Sequence, residues 1–325
     1  MSRAMRGGTG LVLSLVGALA ALLVATQPGA AQLDRAGLQA LCAAEAGCLD
    51  AVLAVEAIQG GTALMLTSGS ELPGANSTLG LRFGSTPRVA GSVRLGVTSG
   101  SIPALAGAGA GPASSTSTWT PSLQGALAVG VFDGFRLAPT VGGLLSVDLI
   151  GTYARGFPST NDGFGSSASA FGYGLRVGLL RESFTLPGAT VSIVRRHVSD
   201  VSWSGIDGAT PGRVELAGPR ATSVRATVGK DLLALGITAG LGWDRVEADG
   251  SLIAGTAAVA SAFESFRTER AMMFAGVTAT FLVLQLNGEF GYAAGFDALE
   301  PAPAAGAFDP SAGSIFITAS ARLLF

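Results

Sequence analysis

The sequence has little charge, one histidine and two cysteines, and each shortage excludes a class of protein. Charged residues make up 13% of the 325 positions, against roughly 25% in soluble domains, which argues against an ordinary soluble enzyme. One histidine and two cysteines cannot complete a common four-ligand zinc site, and we predict no metal and no cofactor. The 20 basic and 22 acidic residues nearly balance, which disfavours nucleic acid as a partner.

Long apolar runs are also missing beyond the N-terminus, where no run approaches the ~18 residues of a membrane helix. The one long run, residues 11–25, follows Arg3 and Arg6 and precedes a stretch of small residues. A basic start, an apolar centre and a small-residue end are typical of a secretory signal peptide. We therefore expect residues 1–31 to be removed on export.

The next segment, residues 32–59, has apolar residues at helical spacing, with Asp34 and Asp50 as N-caps. This pattern predicts two short helices. In an oxidising compartment, the two cysteines, Cys42 and Cys48, are expected to form a disulfide. We predict a periplasmic helical segment here, and the sequence leaves open whether it plugs the domain that follows.

From residue 60 onward, apolar residues recur at every second position. Near the end, for example, Ile315, Ile317 and Leu323 alternate with a set that includes Ser320 and Arg322. Successive side chains of a strand point to opposite faces, so each such run has one apolar face. The predicted strands are 62–68, 77–83, 89–98, 121–131, 141–154, 168–180, 189–199, 220–229, 235–248, 267–280, 284–295 and 314–325.

The connections and the charges favour a membrane barrel over a soluble sandwich. Short links alternate with longer ones rich in glycine, serine, alanine and proline, as in transmembrane barrels. A sandwich needs charged outer faces, whereas the few strand charges here lie opposite the apolar stripe. Aromatic residues gather near both ends of the strands, as two membrane interfaces require. We predict an all-β fold over residues 60–325, a closed antiparallel transmembrane β-barrel of about 12 strands with a range of 10–14.

The closing sequence SIFITASARLLF ends in a carboxy-terminal Phe325. This ending resembles the terminal strand signal of bacterial outer-membrane β-barrel proteins. The resemblance implies that the barrel-assembly machinery of a double-membraned bacterium recognises Phe325 and that the protein resides in the outer membrane. The N-terminal segment before the first strand is similar to that of the long-chain fatty-acid transporter family, whose N-terminus plugs its barrel.

Strand parity assigns a set of polar residues to the barrel interior. Three pairs of opposite charge fall on neighbouring strands: Asp148 with Arg176, Arg225 with Asp244, and Glu289 with Arg322. Such charges must pair or be hydrated, because a lone buried charge is costly. The predicted lumen-lining residues are Arg94, Asp148, Arg176, Arg225, Asp244, Gln285, Asn287, Glu289 and Arg322.

This lumen allows more than one function. The barrel passes or binds an unidentified small solute or lipid-like ligand across the outer membrane, or its charges form a polar core that closes a barrel with a structural or surface-interaction role. An outer-membrane lipid hydrolase or protease would have to use His197, beside Ser199 and Asp200. The sequence lacks the G-x-S-x-G elbow of one common hydrolase class, and we predict that the protein is not an enzyme.

Three consecutive basic residues, Arg195, Arg196 and His197, lie near the outer end of a predicted strand. Arginine binds phosphate oxygens through two parallel hydrogen bonds. We therefore predict that these residues contact the phosphates of lipopolysaccharide, and that outer-membrane lipid is a partner of the barrel.

Overall fold

The computed structural model describes residues 55–82, 85–104, 114–136, 142–158, 164–165, 167–204, 213–253, 261–296 and 309–325. The predicted signal peptide and the predicted Cys42–Cys48 disulfide lie outside these ranges.

The described chain begins with a helical segment and continues as strands. Residues 55–67 are helical, with a π-helical turn at Ile58–Thr62 followed by helix α1, Ala63–Thr67. None of the helices in the described ranges is long and apolar enough to cross a membrane. The strands are β1 (Leu81–Arg82), β2 (Thr86–Pro87), β3 (Val89–Ala104), β4 (Ser114–Phe132), β5 (Ser146–Gly156), β6 (Ala168–Leu180), β7 (Gly188–Val198), β8 (Val201–Ser204), β9 (Arg213–Leu232), β10 (Leu235–Ile253), β11 (Ser261–Phe281), β12 (Leu284–Ala293) and β13 (Ser314–Leu324).

Ten of the described strands close into a ring by antiparallel pairing. Chain neighbours pair from β3 to β7 and from β9 to β13, β7 pairs with β9, and β13 pairs with β3. At the closing seam, Val97 lies opposite Ile317 and Ala90 lies opposite Leu324. The short strand β8 adds to the end of β9, and β1 pairs with β2 apart from the ring. The fold is a closed antiparallel β-barrel, as the alternation predicted.

The barrel has ten strands where about 12 were predicted, because the first two predicted strands are not part of the wall. Residues 62–68 are buried on every side and mostly helical, and their short apolar run, Ala63 to Leu66, does not distinguish a buried helix from a buried strand. In the second predicted strand, 77–83, only Leu81 and Arg82 pair, and they pair with β2. The barrel wall therefore begins at Val89 rather than at residue 60.

The wall is apolar outside and polar inside. Along β7, buried residues alternate with partly or fully exposed ones. Large hydrophobic residues on the outer face stay exposed, as at Leu95 (63%), Leu241 (66%) and Val277 (65%). A continuous apolar outer surface around a polar interior is suited to a hydrocarbon surrounding. The barrel is therefore of the transmembrane type.

The two ends of the barrel differ. At one end β9 and β10 are joined by Leu233–Ala234, and β11 and β12 by Leu282–Val283. Val89 and Phe325 also lie at this short-turn end, where the Phe325 N–H donates to the Val89 carbonyl over 2.9 Å. At the other end the connections are long, and strands such as β11, with 21 residues, exceed the roughly 9–11 residues that span a membrane. The longer strands therefore project beyond the membrane at the long-loop end.

Candidate functional site: the lumen and the segment that fills it

The barrel interior is occupied by residues 55–82, which we call the plug. At the long-loop end, Gly61 and Thr62 lie beside Thr98 and Phe164. At the short-turn end, the Leu79 N–H donates to the Asp148 carboxylate over 3.0 Å. The plug therefore runs the length of the lumen from the long-loop end to the short-turn end. Residues 55–59, the described part of the predicted segment 32–59, lie inside the barrel at its long-loop end, which is the plug position that the sequence left open.

The structure places every predicted lumen-lining residue on the inner face, with 5% or less of its surface exposed. Two further arginines, Arg196 and Arg270, lie there as well. Arg270 was not predicted to face the lumen. Three consecutive apolar residues, Met272, Met273 and Phe274, place apolar side chains on both faces of β11, so this part of the strand shows no apolar–polar alternation. Gly276 lies opposite the inward Glu289, and every second residue before Gly276 shares its face, so counting back by twos places Arg270 in the lumen.

The arginines of the wall bind the main chain of the plug. Each of four guanidinium groups donates to at least one plug carbonyl, and two of them donate to two. The bonds run from Arg94 to the Ser68 carbonyl (2.5 Å) and the Ser70 carbonyl, from Arg225 to the Gly69 (3.1 Å) and Thr67 (2.7 Å) carbonyls, from Arg270 to the Gln59 carbonyl (2.8 Å), and from Arg176 to the Ser77 carbonyl (2.9 Å). These charge-assisted bonds are stronger than neutral ones, so they hold the plug by its backbone.

The carboxylates of the wall accept hydrogen bonds from the plug. Glu289 accepts from the Ser70 N–H over 3.2 Å and from the Ser70 hydroxyl. Asp244 accepts from the Thr67 hydroxyl over 2.8 Å. Within the plug, the Glu71 carboxylate accepts from Arg196 of the wall. Both signs of wall charge are therefore satisfied in part by the plug.

Two of the three predicted charge pairs form. Arg176 and Asp148 are 2.6 Å apart, and Arg225 and Asp244 are 2.7 Å apart. The predicted pair of Glu289 with Arg322 is wrong, because Glu289 lies opposite Thr318 and Arg322 lies opposite Gln285. Four residues along a strand separate the two charges by about 13 Å. Arg322 donates to Gln285 instead.

Two inward glycines let the plug backbone approach the wall. A Cβ built at Gly130 would lie 2.7 Å from the Gly80 nitrogen, and one built at Gly188 would lie 2.7 Å from the Asn76 carbonyl carbon. Neither neighbour is a flexible side chain, so any larger residue at Gly130 or Gly188 would displace the plug.

Little space remains between the plug and the wall. A cavity lined by Glu71, Arg94 and Arg196 has a volume of about 10 Å³, and one beside Thr98 and Gly61 has about 30 Å³. The first is about the volume that one water molecule needs. A groove of about 770 Å³ lies instead on the outer face, across β9 to β13, with an almost wholly apolar lining. The plug therefore leaves only small cavities beside these described residues.

At the short-turn end, outside the strands, two carboxyl groups have shifted pKa values. Burial alone raises the pKa of Asp133, but hydrogen bonds from the Leu81 N–H (2.7 Å) and from Arg181 outweigh burial and lower its pKa. Burial raises the pKa of Glu182, which the hydrogen bond from the Asp231 N–H only partly offsets. The lowered pKa favours the ionised form of Asp133, which holds the short-turn end of the plug by accepting from the Leu81 N–H.

The three residues predicted to contact lipopolysaccharide do not share a face. Arg195 and His197 point outward and are exposed, and His197 stacks on Tyr173 with ring centres 6.0 Å apart. Arg196 points inward, where it pairs with Glu71 and donates to the Ser223 hydroxyl over 2.9 Å. Consecutive strand residues alternate between faces, so the prediction is wrong for Arg196.

The three residues named for a hydrolase or protease each make a contact within the barrel. The Ser199 hydroxyl accepts from the Ser169 N–H over 3.0 Å, and the Asp200 carboxylate accepts from the Gly218 N–H over 2.9 Å. His197 lies on the outer face with Tyr173. Among the described residues, no group of three or more histidine, cysteine, aspartate or glutamate side chains could hold a metal ion.

Comparison with known proteins is informative only at the level of the fold. No protein-family model matches the chain, and no curated protein is similar to it. Among solved structures, the translocator domain of the autotransporter NalP from Neisseria meningitidis is 10% identical, with a TM-score of 0.44 over 86% of this chain and 99% of that one. An outer membrane channel from Pseudomonas putida is 12% identical, with a TM-score of 0.37 over 78% and 99%. The outer membrane protease OmpT from Escherichia coli is 10% identical, with a TM-score of 0.36 over 74% and 96%.

Proposed function

We propose that the protein is a plugged channel of the bacterial outer membrane, which passes small polar solutes when the plug leaves the lumen. It would reach that membrane after signal-peptide cleavage, with the barrel-assembly machinery recognising Phe325. One observation carries the proposal. The wall holds the plug through guanidinium–carbonyl and carboxylate–amide hydrogen bonds, and water can replace every one of these bonds when the plug moves.

The chemistry of the wall favours a polar solute over a lipid-like one. With the plug displaced, the residues that face the lumen include Arg94, Gln124, Asp148 and Asn287, all buried now. An acyl chain would leave these groups without partners, at a cost of about 1–3 kcal/mol for each neutral group and more for a charge. A hydrated solute would not.

The alternative function is a permanently closed barrel with a structural or surface role. It is favoured by the apolar contacts that also hold the plug. Leu64 packs with Phe274 and Phe316, and Leu72 packs with Ile150 and Val194. Conductance distinguishes the two functions, because a permanently closed barrel carries no current even when the polar contacts of the plug are weakened.

The first test removes one polar contact of the plug. Glu71→Gln keeps the volume of the side chain and leaves Arg196 without its carboxylate. Breaking a buried ion pair costs about 3–5 kcal/mol, so the open fraction in planar bilayers should rise by more than about 100-fold. Glu247→Gln, on the exposed outer face beside Arg245, is the matched control and should leave the open fraction unchanged.

A reversible cross-link completes the test. A Cβ built at Gly74 lies 3.6 Å from the Asn287 Cβ, within the roughly 3.5–4.5 Å that a disulfide spans. Gly74 has a φ of 64° and its Cβ would lie 2.9 Å from the Thr278 hydroxyl, so the Thr278 side chain must rotate to admit a cysteine. The cross-linked protein is the Glu71→Gln variant with Cys42 and Cys48 replaced by serine and with Gly74→Cys and Asn287→Cys added. Oxidation to the disulfide should abolish the current, and reduction should restore it. If the reduced protein is also silent, the barrel is closed and the channel function is refuted.

A further inference from the structure

The buried charges of the wall are unequal in number. Among the described residues, six arginines but only three carboxylates are buried on the inner face. The half-buried Asp231 at the short-turn end adds one more carboxylate. The arginines are Arg94, Arg176, Arg196, Arg225, Arg270 and Arg322, and the buried carboxylates are Asp148, Asp244 and Glu289. The bare wall therefore has an excess of two to three positive charges.

The plug compensates this excess while it is in place. It brings carboxylates at Glu56 and Glu71, both buried, and it offers the carbonyl oxygens that Arg94, Arg225 and Arg270 bind. When the plug leaves, both the carboxylates and the carbonyls leave with it. The guanidinium groups then face water in a narrow lumen, where rings of arginine or lysine select anions.

Arg322 is the least satisfied of these arginines even with the plug in place. Among the described residues its one hydrogen-bond partner is Gln285, and its buried Nε and Nη1 atoms have no partner there. On the neighbouring strand, Asn287 Nδ2 is also buried without a partner. Arg322 lies opposite Gln285, so Asn287 is one step away on the same inner face, at a diagonal distance of roughly 7–8 Å. Among the described residues at this place, the buried atoms without a partner are three N–H donors and no acceptor. Three free donors match an anion.

We propose that the open lumen conducts small anions, and that Arg322 with Asn287 forms a binding step for them near the short-turn end. The inference rests on the proposed channel function and adds the class of solute. A guanidinium binds carboxylate or phosphate oxygens through two parallel hydrogen bonds, so small carboxylates and inorganic phosphate are the expected class.

The experiment measures ion selectivity in the full-length Glu71→Gln variant. Across a KCl gradient in a planar bilayer, the reversal potential should show chloride more permeant than potassium. Adding Arg322→Gln should lower the chloride-to-potassium permeability ratio by about threefold or more, because one charge is lost from a narrow pore. Inorganic phosphate should reduce the chloride current, and about tenfold more of it should be needed in Arg322→Gln.

Two controls separate selectivity from misfolding. Arg155→Gln removes an exposed arginine from the outer end of β5 and should leave the permeability ratio unchanged. Arg322→Lys keeps the charge and should keep most of the selectivity, whereas a folding defect would affect both Arg322 variants. A cation-selective current, or a ratio that Arg322→Gln does not change, overturns the anion inference and leaves the channel function standing. A silent Glu71→Gln protein refutes both.

Discussion

Single residues in this barrel take their roles from strand parity more than from their neighbours in sequence. Arg195, Arg196 and His197 form one basic cluster in the sequence, but the structure puts Arg196 in the lumen and the other two outside. On the other neighbouring strand, β9, Arg220 lies opposite His197 and is exposed. Neighbours on the outer face are therefore found on adjacent strands and not at consecutive positions of one strand.

The lipid contact remains a prediction, now for Arg195 with Arg220. Neither arginine makes an ion pair within the described chain, whereas Arg245 and Arg267 pair with Glu247 and Glu269. Replacing Arg195 and Arg220 by glutamine should lower the lipopolysaccharide that copurifies with the barrel by severalfold, since arginine binds phosphate in a fork. Quantitative mass spectrometry of extracted lipid measures the change.

The control for this prediction is a cation at the opposite end of the barrel. Lys230 donates to the carbonyls of Phe184 and Leu186 in a short turn, so Lys230→Gln should leave the bound lipopolysaccharide unchanged. Equal lipid content in all three proteins would show that the outer arginines do not bind it.

At the scale of elements, the sequence predicted the wall well and the plug poorly. Each of the last ten predicted strands overlaps a barrel strand, because a strand with lipid on one side and polar groups on the other must alternate. Residues 62–68 contact the wall on all sides and are wholly buried, so their sequence carries no periodicity. The contacts of Gly130 and Gly188 with the plug could not be predicted either. A glycine in a strand indicates that space is needed, but the sequence does not indicate which segment occupies that space.

The short turns hold a test of backbone strain. Leu282 lies in the two-residue turn between β11 and β12 with φ of 56° and is 97% exposed. A leucine with positive φ costs about 1–2 kcal/mol, and the exposed side chain of Leu282 contributes little packing energy to offset that cost. Leu282→Gly should therefore raise the free energy of unfolding by about 0.5–1 kcal/mol, as measured by urea titration in detergent.

A matched position checks that the gain comes from the backbone. Val283 occupies the next place in the same turn without a positive φ. Val283→Gly should lower the stability or leave it unchanged, because glycine there adds only freedom in the unfolded chain. Stabilisation by both substitutions would contradict the strain argument.

At the scale of the whole molecule, the direction of the plug fixes which end of it faces outward. Residues 55–62 lie at the long-loop end, and the chain then descends to Val89 at the short-turn end. In transmembrane barrels the short turns face the periplasm. The helical end of the plug should therefore be accessible from outside the cell.

Cysteine labelling tests this orientation. Gly61 is exposed, and a Cβ built there meets nothing within 4 Å. With Cys42 and Cys48 replaced by serine, Gly61→Cys should react with a membrane-impermeant maleimide in intact cells. Phe184→Cys, at a short turn with 97% exposure, should react only after lysis. The reverse pattern would place the long loops in the periplasm.

The wall's preference for main-chain atoms has a consequence for how the plug tolerates substitution. A carbonyl oxygen is the same in every amino acid, so Arg94, Arg225 and Arg270 recognise the path of the segment rather than its identity. Different side chains could occupy an exposed plug position such as Gly61, where a Cβ meets nothing within 4 Å, while these hydrogen bonds keep their geometry. The inward positions of the wall strands have no such freedom, because each arginine must keep its place along the barrel axis to reach its carbonyl.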